Sequence, residues 1–327
     1  MTSFAISMSH IYEAEGNVRP FVLQTPLIEA NLVDGLSLSL KCENLQKVSA
    51  FKARGACNAV FKLNDAQASA GIVTHSSGNH AAAIALAGKL RSVPVTIVMP
   101  HNSSPLKIAA VRSYGIEPAF CEPTAEARQA AADQVVAETG ATFIHPFDHP
   151  DVMAGQGTVA LELLKQCPDL DTVIVPVGGG GLISGMSTAI KALRPSVKII
   201  AAEPEWADDT KRSFETGIRQ PAERYDSICD GLRTPVGKLT FPIIQAKVDA
   251  VETVSEAQIC KATIDVLLST KMLVEPSAAV AIAVARKRAA ELQGQTVACV
   301  MTGGNLAADS LVKLLQHQLE SEESVQT

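Results

Sequence analysis

The chain has 327 residues, 47% of them hydrophobic, and a net charge of -6. That is enough apolar content for a large core and suggests about two domains. Acidic and basic residues are interleaved without a basic face or arm, which excludes nucleic acid as the main partner, and no apolar stretch approaches the ~20 residues of a membrane span.

The start, MTSFAISMSHIYEAEG, lacks the basic segment and long apolar run of a secretory signal. A soluble, cytoplasmic protein is expected. Seven cysteines form no CxxC pair and sit mostly in apolar segments such as TVACVM, which reads as reduced, buried thiols.

Next comes SAFKARGA at 49–56, with Lys52 between Phe51 and Ala53 at the start of a helical pattern. A lysine desolvated in such company has its charged form disfavoured, so its neutral amine is more available as a nucleophile. A lysine snorkelling from a helix face is the plain alternative. GIVTHSS then precedes GNHAAAIALAGKL, and VPVTIVMP precedes SPLKIAAVRSYG. The loop THSSGNH at 74–80 can cap its helix through Ser76 or Ser77. It can instead hold a carboxylate on backbone N–H groups and offer a hydroxyl to a reacting carbon. In HPFDHPDV the prolines break helical spacing, so His145 and His149 read as loop residues and not as metal ligands.

Further on, TVIVPV precedes GLISGMSTAIKAL, with Gly178, Gly179, Gly180 and Gly181 at the junction. Glycine is a poor filler there. A glycine-rich turn entering a helix N-terminus is a ready anion site, best suited to phosphate, and a tight turn without a ligand is the alternative. No Lys-Ser or Lys-Thr follows, which excludes a Walker loop. Gly179, Gly181 and Gly185 give GxGxxxG, and Glu203 ends the next strand, VKIIAAEP, about 20 residues on, where dinucleotide folds place a ribose-binding acid. This window alone leaves NAD and a phosphorylated cofactor open. Last, TVACVMTGG precedes NLAADSLVKLLQHQ, with Thr302 at a glycine turn, and the tail LESEESVQT reads as a frayed, solvated end.

Continuous apolar strands alternating with amphipathic helices predict an α/β protein with parallel sheets covered on both faces. Three strand-helix units predict a small domain over 67–148. Residues 1–66 and 149–327 would form the large one, with a ligand cleft between them.

Taken together, the motifs resemble the fold type II pyridoxal-phosphate enzymes, the tryptophan-synthase β class, and within it the serine racemase and serine/threonine dehydratase branch. The resemblance is carried by S-x-F-K-x-R-G-A around Lys52, SSGNH at 76–80, AGQGT at 154–158, GGGGL at 178–182, EP-x-x-ADD at 203–209, DG at 230–231, EPSAA at 275–279 and TGGN at 302–305. They keep the family's order over nearly the whole chain, which displaces the NAD reading. The S-x-F-K pattern departs from the family at Ala50, where a serine is usual.

The resemblance implies pyridoxal 5'-phosphate bound through Lys52, which would also remove the substrate's α-proton. Gly178, Gly179, Gly180, Gly181 and Leu182 would hold the phosphate. Phe51 would pack on a ring face, Asn79 would meet the phenolic oxygen, Gly231 would line the ring and Thr302 would face the pyridine nitrogen. A neutral hydroxyl there does not force the nitrogen to stay protonated, which weakens the electron sink and favours elimination from hydroxy amino acids over transamination. Ser76, Ser77, Gly78, Asn79 and His80 would bind the substrate, a small hydroxy amino acid, with Ser77 carrying a proton on the second face as in serine racemases. Arg128 would approach from the small domain and suits the second carboxylate of 3-hydroxyaspartate. Its alternative is a surface helix arginine.

Glu203, Asp209 and the Ala207 carbonyl match the branch's divalent-metal site, a hard oxygen shell for Mg2+, or for Ca2+ or Mn2+. The implied activity is serine racemisation with β-elimination, and L-threo-3-hydroxyaspartate or threonine dehydration is the alternative. A non-catalytic amino-acid or cofactor-binding protein is a remote third, which an intact reactive lysine speaks against. The resemblance also implies a homodimer and a nucleotide effector, ATP or AMP, although Ala81-Ala82 departs from the family beside that contact. No C-terminal domain for isoleucine feedback is expected.

Overall fold

The apolar runs sort into two sheets. The computed structural model describes residues 4–326. In chain order the strands are β1 (Leu27–Val33), β2 (Leu36–Lys41), β3 (Ile72–His75), β4 (Val95–Pro100), β5 (Ala119–Cys121), β6 (Thr142–Phe143), β7 (Thr172–Pro176), β8 (Lys198–Pro204), β9 (Ala250–Val254) and β10 (Val297–Val300). The larger sheet runs β1-β2-β10-β7-β8-β9 and the smaller β5-β4-β3-β6. The helices are α1 (Met8–Val18), α2 (Lys52–Phe61), α3 (Asp65–Ala70), α4 (Asn79–Arg91), α5 (Pro105–Arg112), α6 (Ala125–Thr139), α7 (Pro150–Gln166), α8 (Gly181–Leu193), α9 (Asp209–Thr216), α10 (Thr240–Lys247), α11 (Glu256–Thr270), α12 (Pro276–Lys287), α13 (Ala289–Leu292) and α14 (Ala308–Gln326). Among the described residues no helix is long and apolar enough to cross a membrane.

The large sheet is buried on both faces, as continuous apolar strands require. Val173, Val175, Ile199, Ala201, Ala298 and Val300 point to the side packed by α7 and α8. Their neighbours Ile174, Ile200, Ala202, Val297 and Cys299 point to the side packed by α12. The period-two alternation of side chains thus divides each strand between two apolar layers.

Two expectations need correction. The large sheet is not purely parallel: β1 and β2 form an antiparallel hairpin. Asp34-Gly35 turns it, with Gly35 at φ +71, a short-turn signal between alternating strands. Nor is the C-terminal tail a frayed end, since α14 continues through it to Gln326. The Leu314 side chain anchors that helix on Cys260 and Ile264, and the Leu-, Glu- and Gln-rich sequence beyond it has high helix propensity.

Glycines set the helix packing behind the cleft. A Cβ on Gly155 would lie 2.7 Å from the Gly55 Cα, and one on Gly185 would lie 2.2 Å from Met153 O and 2.6 Å from Gly157 N. So AGQGT on α7 brings α2 close on one side and α8 close on the other. The helix that starts at Lys52 and the helix that follows the glycine run are fixed to one another through α7.

Candidate active site

The candidate residues follow the C-terminal ends of β3, β7, β8 and β10, the place where open α/β sheets bind ligands. Lys52 is the first residue of α2. It follows a turn in which Val48 and Ser49 both adopt left-handed backbone, φ 56 and 51, a conformation that a β-branched residue resists. The loop after β10 holds this turn. Gly304 N donates to Ser49 O at 2.9 Å, Phe51 N donates to Thr302 O at 3.1 Å, and Asn305 Nδ2 donates to Val48 O at 2.8 Å. On the other side Arg54 is buried in a fork between Glu43 and Glu162. The arginine of the lysine motif therefore anchors α2 to its surroundings.

The Lys52 amine donates to Pro146 O at 2.8 Å and lies 5.1 Å from the centre of the Phe51 ring. Burial pushes it down to about 8, opposed by the charge of Glu275. One residue past Pro146, Phe147 lies on the glycine run. A Cβ on Gly179 would come within 2.3 Å of its ring, and one on Gly181 within 3.0 Å of its Cβ and carbonyl oxygen. Gly180 is left-handed, φ +88, and caps α8 without a side-chain bond. The turn therefore needs bare backbone for close packing as well as for any ligand.

The first hydrogen bond back into α8 is Ser184 N to Gly180 O. Helix geometry leaves the amides before it without intrahelical acceptors, and Gly178 to Leu182 are buried. A buried, uncapped start of a 13-residue helix fits an anion such as a phosphate. Gly231 adjoins the same turn: a Cβ on Gly178 would meet Gly231 O at 3.2 Å, and Gly231 N donates to Ser277 Oγ at 3.1 Å.

The serine loop enters from β3. Gly78 N donates to Ser76 Oγ at 3.3 Å, and Ser77 is half-buried beside it. Asn79 opens α4, donating through Nδ2 to Glu275 Oε1 at 2.9 Å and accepting at Oδ1 from Asn305 Nδ2 at 2.8 Å. An amide nitrogen carries two hydrogens, so one remains for a ligand oxygen. His80 faces inward instead. It is 2% exposed, its Nε2 is 3.4 Å from Ile144 O, and burial, with Lys52 adding to it, holds its ring well below the usual range. Thr302 is buried at the end of β10.

Arg128 is on α6, where its Nε donates to Thr124 O at 3.2 Å. Burial holds the ring of His75, the residue before Ser76, below its usual range, and the Arg128 charge adds to that. His145 and His149 are indeed loop residues with local work: their Nδ1 atoms accept from Asp148 N at 3.0 Å and from Asp151 N at 3.2 Å.

Glu203 and Asp209 flank the short connection from β8 to α9. Glu203 accepts from Thr210 N and Lys211 N at 3.0 and 2.9 Å. Asp209 Oδ2 accepts from Val236 N at 2.9 Å, while its Oδ1 is buried without a partner. Burial raises both carboxyls, Asp209 to about 7, and the Asp209 charge raises Glu203 further. Ala207 is buried between them in sequence. Two buried acids and an orphan oxygen suit a hard cation. Among the described residues no cluster of three or more His, Cys, Asp or Glu side chains could hold a metal, so such a site depends on the Ala207 carbonyl and water.

Glu275, Phe147 and Asn305 escape a reading of the residues alone. The only local sign of Glu275 is an acid before a proline-started helix. Yet it is 5% exposed and pushed up to about 8 by burial and then by Asp230.

The family model described as pyridoxal-phosphate dependent enzyme matches residues 18–303. A serine racemase of Oryza sativa subsp. indica is 42% identical over 311 residues, 93% of this chain and 92% of the rice protein. A beta-hydroxyaspartate dehydratase of Paracoccus denitrificans (strain Pd 1222) is 41% identical over 301 residues, 91% of this chain and 96% of that protein. Among solved structures, maize serine racemase superposes with a TM-score of 0.92 at 40% identity, covering 98% of this chain and 100% of the maize chain.

Proposed function

The chain belongs to the pyridoxal-phosphate dependent enzyme family, and from that premise we propose that it racemises serine and eliminates its β-hydroxyl to give pyruvate and ammonia. The observation that carries this reading is the convergence on one amine. Lys52, pushed down to about 8, is tied through Pro146 and Phe147 to the glycine turn and through Phe51 to Thr302.

Gly178 to Leu182 would hold the phosphate, and Lys52, Phe51, Asn79, Gly231 and Thr302 would hold the ring. When bound, the coenzyme supplies a sink for the electron pair left as the α-carbon loses its proton. Lys52 accepts that proton on one face. Ser77 returns a proton on the opposite face, which inverts the centre. For elimination, Lys52 passes the proton it has taken to the departing β-hydroxyl, which leaves as water, and the released enamine takes up one water to give pyruvate and ammonia. The backbone N–H groups of Ser77, Asn79 and His80 at the start of α4 orient the substrate carboxylate, those of Ser76 and Gly78 being engaged by Val98 O and Ser76 Oγ, and the His80 ring supports the loop from behind. Glu203, Asp209 and Ala207 bind Mg2+ or a similar cation as a structural brace.

Residues 67–148 would form the small mobile domain of this reading, and the ion pair of Lys107 with Asp230 at 2.7 Å would hold it to the rest of the chain. The same proposal takes the working unit to be a cytoplasmic homodimer that ATP or AMP would tune. A second reading, dehydration of L-threo-3-hydroxyaspartate, is favoured by the Arg128 charge beside the serine loop, which suits a second carboxylate.

A substrate panel assayed for both D-amino acid and keto acid separates the two readings. Ser77→Ala is expected to lower serine racemisation about a hundredfold while elimination from L-serine changes several-fold at most, the scale of losing one acid-base group. Equal losses in both reactions would refute the two-face assignment.

A further inference from the structure

Resting on the coenzyme reading above, we propose that Asn305 and Glu275 are positioning residues that fix which end of the Asn79 side-chain amide faces the coenzyme, so that N–H and not C=O meets its ring oxygen. The two ends of an asparagine amide have nearly the same shape, and only their hydrogen-bond partners decide which way it points. Here the partners form a directed series. It begins at Val48 O, a backbone carbonyl that cannot reverse, which accepts from Asn305 Nδ2 at 2.8 Å. That contact turns the NH2 of Asn305 into this corner, and the same nitrogen donates to Asn79 Oδ1 at 2.8 Å. Asn79 Nδ2 is thereby turned the other way, where Glu275 Oε1 accepts at 2.9 Å.

The backbone is shaped around this series. Glu275 N donates to Gly303 O at 3.0 Å. A Cβ on Gly303 would sit 2.6 Å from Glu275 Oε1 and 3.1 Å from Asn79 Nδ2, so the second position of TGGN is kept bare where the carboxyl and the amide meet. Burial pushes Glu275 up to about 8, yet the contact survives protonation because a neutral carboxyl still has a carbonyl oxygen to accept with. The series joins the turn before Lys52, the terminal loop, the start of α4 and the start of α12. It accounts for why a side chain as remote in sequence as residue 305 bears on coenzyme recognition.

The test exploits shape against sign. Asn305→Asp keeps the shape and replaces the donor by an acceptor, so Asn79 turns its NH2 toward residue 305 and its oxygen toward the coenzyme. Pyridoxal 5'-phosphate is titrated into each apoprotein and its dissociation constant read from the visible absorbance. The melting temperature and far-UV circular dichroism of each apoprotein check its fold. Asn305→Asp is expected to bind about tenfold to a hundredfold more weakly, the range for misdirecting a hydrogen bond to a charged oxygen, and Asn305→Ala several-fold more weakly at most. In an Asn79→Ala background the Asn305→Asp penalty should vanish, since no amide is left to turn. A penalty that persists there, or its absence from the single variant, overturns the proposal. Should Asn305→Asp misfold, Asn79→Asp shows the coenzyme an oxygen directly and is expected to weaken binding as much; full affinity there overturns the proposal equally. A wild-type apoprotein that takes up no coenzyme would sink the coenzyme reading itself, and the inference with it.

Discussion

At the scale of single residues, the site is poised by burial. Lys52 has a folded value of about 8 against an ordinary 10.5. Between those values the unfolded chain binds more protons than the folded one, so the lysine's contribution to stability rises with pH across about 8 to 10.5, and its penalty is full below about 8. Glu275 runs the other way. With its folded value raised from 4.5 to about 8, its contribution is lost as pH climbs through that interval. The contributions of this pair to the apoprotein are therefore least favourable together near pH 8. The kinetic consequence is simpler: the amine must be neutral to attack an aldehyde. Coenzyme uptake by the apoprotein, followed by visible absorbance in a stopped-flow instrument, is expected to accelerate through an apparent pKa of about 8. A midpoint near 10.5 would mean that the amine is solvated. Lys52 was legible because its motif is local. Glu275 was not, because burial and then Asp230, on a different loop, raise it, and its hydrogen-bond partner Asn79 is 196 positions away.

At the scale of elements, the glycine motifs carry two distinct messages. GGGGL marks a turn that was readable as an anion site, because strand, glycines and helix follow one another in sequence. AGQGT gave no such sign, since its purpose is contact between α7 and two other helices. Gly185→Ala would force a methyl to within 2.2 Å of the Met153 carbonyl. Backbone cannot move aside cheaply there, so the substitution is expected to cost about 2–3 kcal/mol, read as a lowered melting temperature. An unchanged melting temperature would show that α7 and α8 have room to separate. The β8 to α9 connection makes a second prediction. Two buried carboxyls with one unpartnered oxygen are costly unless a cation joins them. Adding EDTA is expected to lower the melting temperature by several degrees, and Mg2+ to restore it; no response to either would leave the pair as buried neutral acids. The β1-β2 hairpin was missed although its signal is present, an alternating run on each side of Asp34-Gly35. Its alternation is weaker than the apolar runs around it, and it lies at the sheet edge, where pattern and burial agree least.

At the scale of the whole molecule, the chain forms two sheets of unequal size, of six and four strands. The α/β class followed from the alternation of runs and helices, which survives any error in a single boundary. Where one sheet ends and the other begins was harder to read, because α2 packs against both α4, which follows the smaller sheet's β3, and α7, which precedes the larger sheet's β7. Lys107 on α5 reaches Asp230, next to Gly231, at 2.7 Å. Such half-exposed pairs contribute at most about 1 kcal/mol. Lys107→Ala is therefore expected to raise the KM for serine about fivefold or less with kcat little changed, and the difference should shrink in high salt. A fall in kcat instead would place Lys107 in the chemistry. Finally, all seven thiols are free and buried, and burial pushes those of Cys42 and Cys57 up to about 12. They are spread over both sheets and several helices, and none is primed to react while the fold holds. Alkylating reagents therefore find nothing to modify in an intact molecule, and the rate at which label accumulates becomes a clock for how often the interior breathes open.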